Sequence, residues 1–143
     1  MKYVIASKGP GEPGRGRVSA AIRQVGGPEV VRQAKCQIPV RPGRAAVTSG
    51  GDLPARFVFH GVTVGFVEKQ LVGPSRDLIA EIMASCFYHA DSYAVASIAF
   101  PLLGTGDQGF PRDVCLDTMF RFLARMFLRG LTSVREARII LFG

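Results

Sequence analysis

Two glycine-rich segments carry the residues of this chain best suited to gripping an anion. The first is Gly14-Arg15-Gly16-Arg17-Val18. The second is Gly104-Thr105-Gly106-Asp107-Gln108-Gly109, with Phe110 beside it. A glycine has no Cβ, so a backbone N–H next to it can approach a phosphate closely. Each segment lies between a strand-like and a helix-like stretch, where a helix N-terminus adds a favourable field for negative charge. Three glycines in six residues also suit a nest of backbone donors, and the Thr105 hydroxyl adds one more. Either segment alone reads equally as a plain surface turn. Neither is a Walker A loop, since no Gly-Lys-Ser/Thr is present, and Gly14, Gly16 and Ser19 break the dinucleotide G-x-G-x-x-G pattern. A diphosphate needs two donor surfaces, and the chain offers two.

Catalytic groups are scarcer. Asp107 is the only carboxylate in either of these two segments. It is a candidate base, set against a turn residue pointing to solvent. Beside a diphosphate it would repel the ligand unless its side chain turns away. His60 alternates with apolar residues and His89 follows an apolar helical face, so both read as hydrogen-bonded structural histidines. No Cys, Asp or Glu stands at ligand spacing from either, and Cys36, Cys86 and Cys115 have no metal or redox spacing. The expectation is reduced, buried thiols, no metal and no resident cofactor. The net charge of +7, mostly from arginine, favours anionic partners: nucleotide, nucleic acid or an acidic protein. Arg121, Arg125 and Arg129 recur at i, i+4 and i+8, which reads as a solvated helix face, with no aromatic residue interleaved to stack on bases.

The elements that must position these loops follow from local pattern. Lys2 to Ala6 reads as a short strand. Gly and Pro fill six of the ten positions from Lys8 to Arg17, which makes that stretch a loop. Val18, Ala21, Ile22 and Val25 stand at helical spacing, and Gly26-Gly27 ends that helix. Pro28 restarts a helix through Lys35, with Val30, Val31 and Ala34 inward. Arg44 to Thr48 and Arg56 to Val64 are strands. The second places Phe57, Phe59, Gly61 and Thr63 on one face and Val58, His60, Val62 and Val64 on the other. Ser75 is an N-cap for a long helix whose apolar face holds Leu78, Ile79, Ile82, Met83, Cys86 and Phe87. Val95 to Phe100 is the near-continuous apolar run of a buried parallel strand. Arg112 to Leu128 is a helix with Leu116, Met119, Phe120, Leu123, Met126 and Phe127 inward, and Ala137 to Phe142 is a last strand. Strands alternating with helices imply an α/β fold on a mixed, mostly parallel sheet. The 143 residues read as one domain, 48% hydrophobic and without a membrane-length apolar run. A short start that runs straight into Gly and Pro makes a cytoplasmic location the default.

Three stretches together resemble macro domains: Val18 to Glu29, Gly43 to His60 and, most specifically, Ser97-Ile-Ala-Phe-Pro-Leu-Leu-Gly-Thr-Gly-Asp-Gln-Gly-Phe-Pro111. Order and spacing agree from about Val4 to Phe142. The resemblance implies a three-layer α/β/α sandwich that binds ADP-ribose, free or protein-linked. Gly14 through Val18 and Gly104 through Phe110 would bracket the diphosphate and distal ribose. Phe142 matches a position that can stack on adenine, although a strand-end core residue is an equal reading.

The chain also departs from the family. Hydrolytic members carry Asn where Ala6 and Gly9 stand, and an acid and a histidine where Ser19 and Arg23 stand. A serine hydroxyl is a far poorer base than a carboxylate at neutral pH. The aromatic often found over the distal ribose is Gln108 here. A strand before Lys2 and a helix after the last strand, both usual in the family, are not in the sequence. Binding without efficient hydrolysis is therefore the expected function. The alternatives are a hydrolase or phosphatase acting on ADP-ribose derivatives through groups such as Asp107 or Lys8, or a basic nucleic-acid-binding domain. Self-association through the sheet edge near Phe142 is also expected, and no membrane partner is.

Overall fold

The computed structural model describes residues 3–8, 17–106 and 108–141. Six strands and four helices alternate along them. The order is β1 (Tyr3–Lys8), α1 (Arg17–Gly26), α2 (Pro28–Lys35), β2 (Ala45–Ser49), β3 (Phe57–Val67), β4 (Gln70–Val72), α3 (Arg76–Ser92), β5 (Ser97–Pro101), α4 (Arg112–Arg129) and β6 (Glu136–Ile140). The sheet runs β2-β3-β1-β5-β6, with β4 added to β3. β1 lies parallel to β3 and β5, and β5 parallel to β6, while β2 and β4 run antiparallel to β3. The mixed, mostly parallel α/β architecture is as the sequence indicates.

Alternation along β3 sends neighbouring side chains to opposite faces. Phe59 joins the large core made with Ile79, Ile82, Met83 and Met119 of α3 and α4. Val58 joins a smaller core with Ile22 of α1 and Val30 of α2. Helices therefore cover both faces, which makes three layers. Ser75 caps α3 as expected, its hydroxyl accepting from the Leu78 N–H at 3.1 Å. The cap satisfies one of the first-turn donors that a helix leaves open.

Several local expectations are corrected. On α1 the buried residues are Ser19, Ile22 and Gly26, while Ala21 and Val25 face outward. A ten-residue helix offers one narrow stripe, and 22 and 26 fall on it at i and i+4. On α4, Phe120 is 58% and Phe127 40% exposed, and Cys115 and Thr118 take the inward positions instead. β3 runs three residues past Val64 into a hairpin that carries no Asn-Gly signal. Glu68 and Lys69 make its two-residue turn, both with positive φ, the backbone of a type I′ turn.

The edge at β2 is closed by side chains. The Gln37 carboxamide accepts from the Val47 N–H at 3.0 Å and donates to the Val47 carbonyl at 2.5 Å. Gln33 accepts from the Ser49 N–H at 2.7 Å. Two glutamines of the α2 region thus act as a partner strand would, and they blunt a pairing edge.

Candidate functional site

β1 and β5 are neighbours, but the chain leaves β1 toward β3 and leaves β5 toward β6. Their shared carboxyl edge is a topological switch point, where open α/β sheets leave a crevice for ligands. Both glycine-rich loops open there. The first follows Lys8 and feeds into α1 at Arg17; the second follows Pro101 and feeds into α4 at Arg112. Gly14, Arg15 and Gly16 lie outside the described residues, as do Asp107 and Phe142, while the backbone of Arg17 begins α1. Val18 packs against the Ile22, Val30 and Val58 cluster, so its side chain holds the first turn of α1 on the sheet.

The second loop separates its glycines by role. Gly104 has φ +73°, and a Cβ there would sit 3.0 Å from Pro74, so the turn itself requires glycine. Gly109 has φ +69°. Gly106 is not in the left-handed region, and a Cβ added to it would meet nothing within 4 Å. Nothing in the described fold demands a glycine at 106.

Part of the expected donor nest is used inside the loop. Gly109 N–H donates to the Gly106 carbonyl and Phe110 N–H to the Gly104 carbonyl, each at 3.0 Å. The Thr105 hydroxyl donates to the Leu102 carbonyl at 2.9 Å, which braces the loop. Among the described residues, the N–H groups of Thr105, Gly106 and Gln108 meet no protein acceptor. Phe110 is half-buried against the main core.

One contact has no counterpart in the sequence motifs. The fully buried Thr63 hydroxyl donates to Oε1 of Gln108 at 2.5 Å. Thr63 reads from sequence as one more residue on a strand face, and nothing local links it to a loop 45 positions away. Ser19 is buried in the first turn of α1 and engaged in an interaction.

The remaining candidates have structural explanations. His60 Nε2 lies 2.9 Å from the Thr48 hydroxyl, and burial pushes its pKa down to about 4. His89 Nε2 donates to the Ala45 carbonyl at 3.0 Å. Cys86 and Cys115 are buried, and desolvation raises both thiols, Cys115 to about 11, which leaves them unreactive. Cys36 is exposed, against expectation, because it caps the outer end of α2. Arg121 pairs with Asp117 at 3.0 Å. Phe120 and Phe127, expected inside, are exposed on α4 instead. Among the described residues no group of three His, Cys, Asp or Glu could hold a metal, and no helix is long and apolar enough to cross a membrane.

Comparison with known proteins agrees with this geometry. An uncharacterized protein of Mycobacterium tuberculosis is 39% identical over 99 residues, a match covering 68% of this chain and 26% of that protein. The chain thus spans about a quarter of the length of that relative. A protein of Enterobacter cloacae named O-acetyl-ADP-ribose deacetylase is 30% identical over 134 residues, covering 87% of this chain and 72% of its own. A Trypanosoma brucei macrodomain solved in complex with ADP superposes with a TM-score of 0.84 at 24% identity, over 99% of this chain and 58% of that one. The sequence model of the Macro domain family matches residues 6–119. With the strand order, the two switch-point loops and that match in agreement, the chain belongs to the macro domain family.

Proposed function

We propose that residues 1–143 form a single domain that binds ADP-ribose, free or attached to a protein, in the crevice between the loops after β1 and β5. Gly106 carries this reading. Its φ lies outside the left-handed region and a Cβ there would meet no described atom within 4 Å, which leaves room for a ligand to approach the backbone. The diphosphate would take the backbone N–H groups of Thr105, Gly106 and Gln108 on one side. On the other it would take the N-terminal turn of α1 with Gly14 through Arg17. Both surfaces offer donors and a positive field to an anion. The Trypanosoma brucei macrodomain, also solved with ADP-ribose, supports the choice of ligand.

A second reading, removal of an acyl group or of ADP-ribose itself, draws on the relative named as a deacetylase. Ala6, Ser19 and Arg23 stand where hydrolytic relatives carry Asn, an acid and His, and they leave no evident group to activate water. The proposal is therefore binding with negligible turnover.

Titration calorimetry with ADP-ribose, ADP and short poly(A) RNA, with a hydrolysis assay alongside, separates these readings. ADP-ribose is expected to bind, and Gly106→Glu to abolish binding by filling the phosphate site with like charge. Because Gly106 is structurally unconstrained, this variant should melt like the parent. Unchanged binding by folded Gly106→Glu would remove the site assignment. Turnover that disappears in Asp107→Ala would establish the enzyme reading instead.

A further inference from the structure

We propose that the β3–β4 hairpin is a docking surface for an extended segment of a partner protein that carries apolar and acidic residues. The surface is separate from the crevice between β1 and β5, and the proposal stands whatever that crevice binds. Ser7 faces Val62 and Lys8 faces Val64, so Thr63 is the extra residue of a β-bulge at the carboxyl end of β1. A bulge bends its strand and increases the local twist. Past Val64, among the described residues, β3 pairs only with β4, and the turn at Glu68 and Lys69 closes the ribbon. β4 in turn pairs with no described strand but β3, so its outer edge is open.

The two faces of the ribbon differ. Gly65 and Val72 stand opposite each other, and Val72 packs on the main core. Phe66 and Leu71, the next opposed pair, point the other way, and each is 67% exposed. Such a pair is a platform on which a partner's apolar side chains lose water. Arg44 lies on the same side of the sheet, since it precedes Ala45, which faces the main core. The Val62 N–H donates to its carbonyl at 2.9 Å, so it stands level with Val62, about 13 Å along β3 from Phe66. Arg41, Arg44 and Lys69 are exposed here against Glu68, while Glu81, beside Gly43, comes from α3 on the opposite face. Among the described residues neither Arg41 nor Arg44 is ion-paired. In an extended segment every second side chain shares a face. Apolar residues can therefore lie on Phe66 and Leu71 while acidic ones, a few positions on, reach Arg44. The open edge of β4 adds main-chain pairing, as in strand addition to a sheet edge. A basic segment would meet like charge.

Amide NMR titration of the intact chain with the peptide Ser-Leu-Ser-Leu-Ser-Glu-Ser-Glu, and with the same residues in reverse order, tests this. One of the two is expected to shift the amides of Phe66 to Val72 and of Arg44. Lysine in place of glutamate in the peptide should remove the effect. Phe66→Ser or Leu71→Ser should weaken binding by at least about 10-fold, as loss of a buried apolar side chain does. Arg44→Glu should weaken it by about 3- to 10-fold, less so as salt is raised. No shifts at millimolar peptide, or shifts confined to other elements, overturn the proposal. Light scattering that shows a dimer of the parent and a monomer of Phe66→Ser overturns it in favour of a second copy of this chain. Short single-stranded RNA that shifts these amides where neither peptide does overturns it in favour of nucleic acid. Thermal melts identify a folding defect in Phe66→Ser, and in that event Leu71→Ser and Arg44→Glu still decide the outcome.

Discussion

Acidification should destabilise this protein through His60, and the size of the effect follows from its surroundings. The ring sits on β3 opposite Ala46 of β2, on the face shared with Val58, and Nε2 meets the Thr48 hydroxyl. That hydroxyl gives its own proton to the Ser49 carbonyl at 2.9 Å, so it accepts from the neutral imidazole. Burial pushes the folded pKa from 6.5 down to about 4. Above pH 6.5 the ring is neutral whether the chain is folded or not, and it contributes no pH dependence. Between 6.5 and about 4 the unfolded chain takes up a proton that the folded chain refuses. Stability then falls by about 1.4 kcal/mol for each pH unit. The loss is complete near pH 4, at about 3 kcal/mol, trimmed toward about 2 kcal/mol by the ring's partial contact with water. Urea unfolding from pH 7.5 to 4, with His60→Gln as the comparison, isolates the effect. Glutamine keeps a donor for Thr48 and cannot titrate, while acidic groups act alike in both proteins. The stability difference between parent and variant should move by about 2–3 kcal/mol across that window. A difference that stays flat would show that the ring is protonated without penalty, and that the β2–β3 face is open to water.

Other consequences are equally direct. Gly50→Ala should unfold the chain or destabilise it by more than about 4 kcal/mol, since the added Cβ would lie 1.8 Å from the Ala55 carbonyl oxygen; circular dichroism melts check it. Ser75→Ala should cost about 1 kcal/mol by removing the α3 cap, read as a Tm lower by roughly 3–5 °C. Gln37→Leu strips both side-chain hydrogen bonds from Val47 and should raise light scattering during partial unfolding, as a newly open edge pairs with other chains; unchanged aggregation would argue against the glutamine clamp. Self-association through β6 is expected at micromolar concentration, because its outer side pairs with no strand among the described residues. A clean monomer by light scattering refutes that.

The sequence by itself determined the order of strands and helices apart from β4, the N-cap at Ser75 and the two glycine-rich loops. These features are local: period, capping chemistry and glycine spacing act over a few residues. It also marked the family through the run from Ser97 to Pro111. Tertiary structure decided what those segments face. Three glycines in the second loop look alike in sequence, yet the neighbouring Pro74 makes Gly104 a turn residue while open space makes Gly106 a binding candidate. Phe120 and Phe127 fit a helical apolar stripe, but which sector of α4 turns inward depends on where α3 and the sheet lie. The Glu68-Lys69 hairpin lacked a turn signal because its positive φ values are imposed by pairing of the flanking strands. The bond from Thr63 to Gln108 needed a bulge, a parallel crossover and a loop to converge. No spacing rule carries such a contact, since it exists only once three separate strands share one edge.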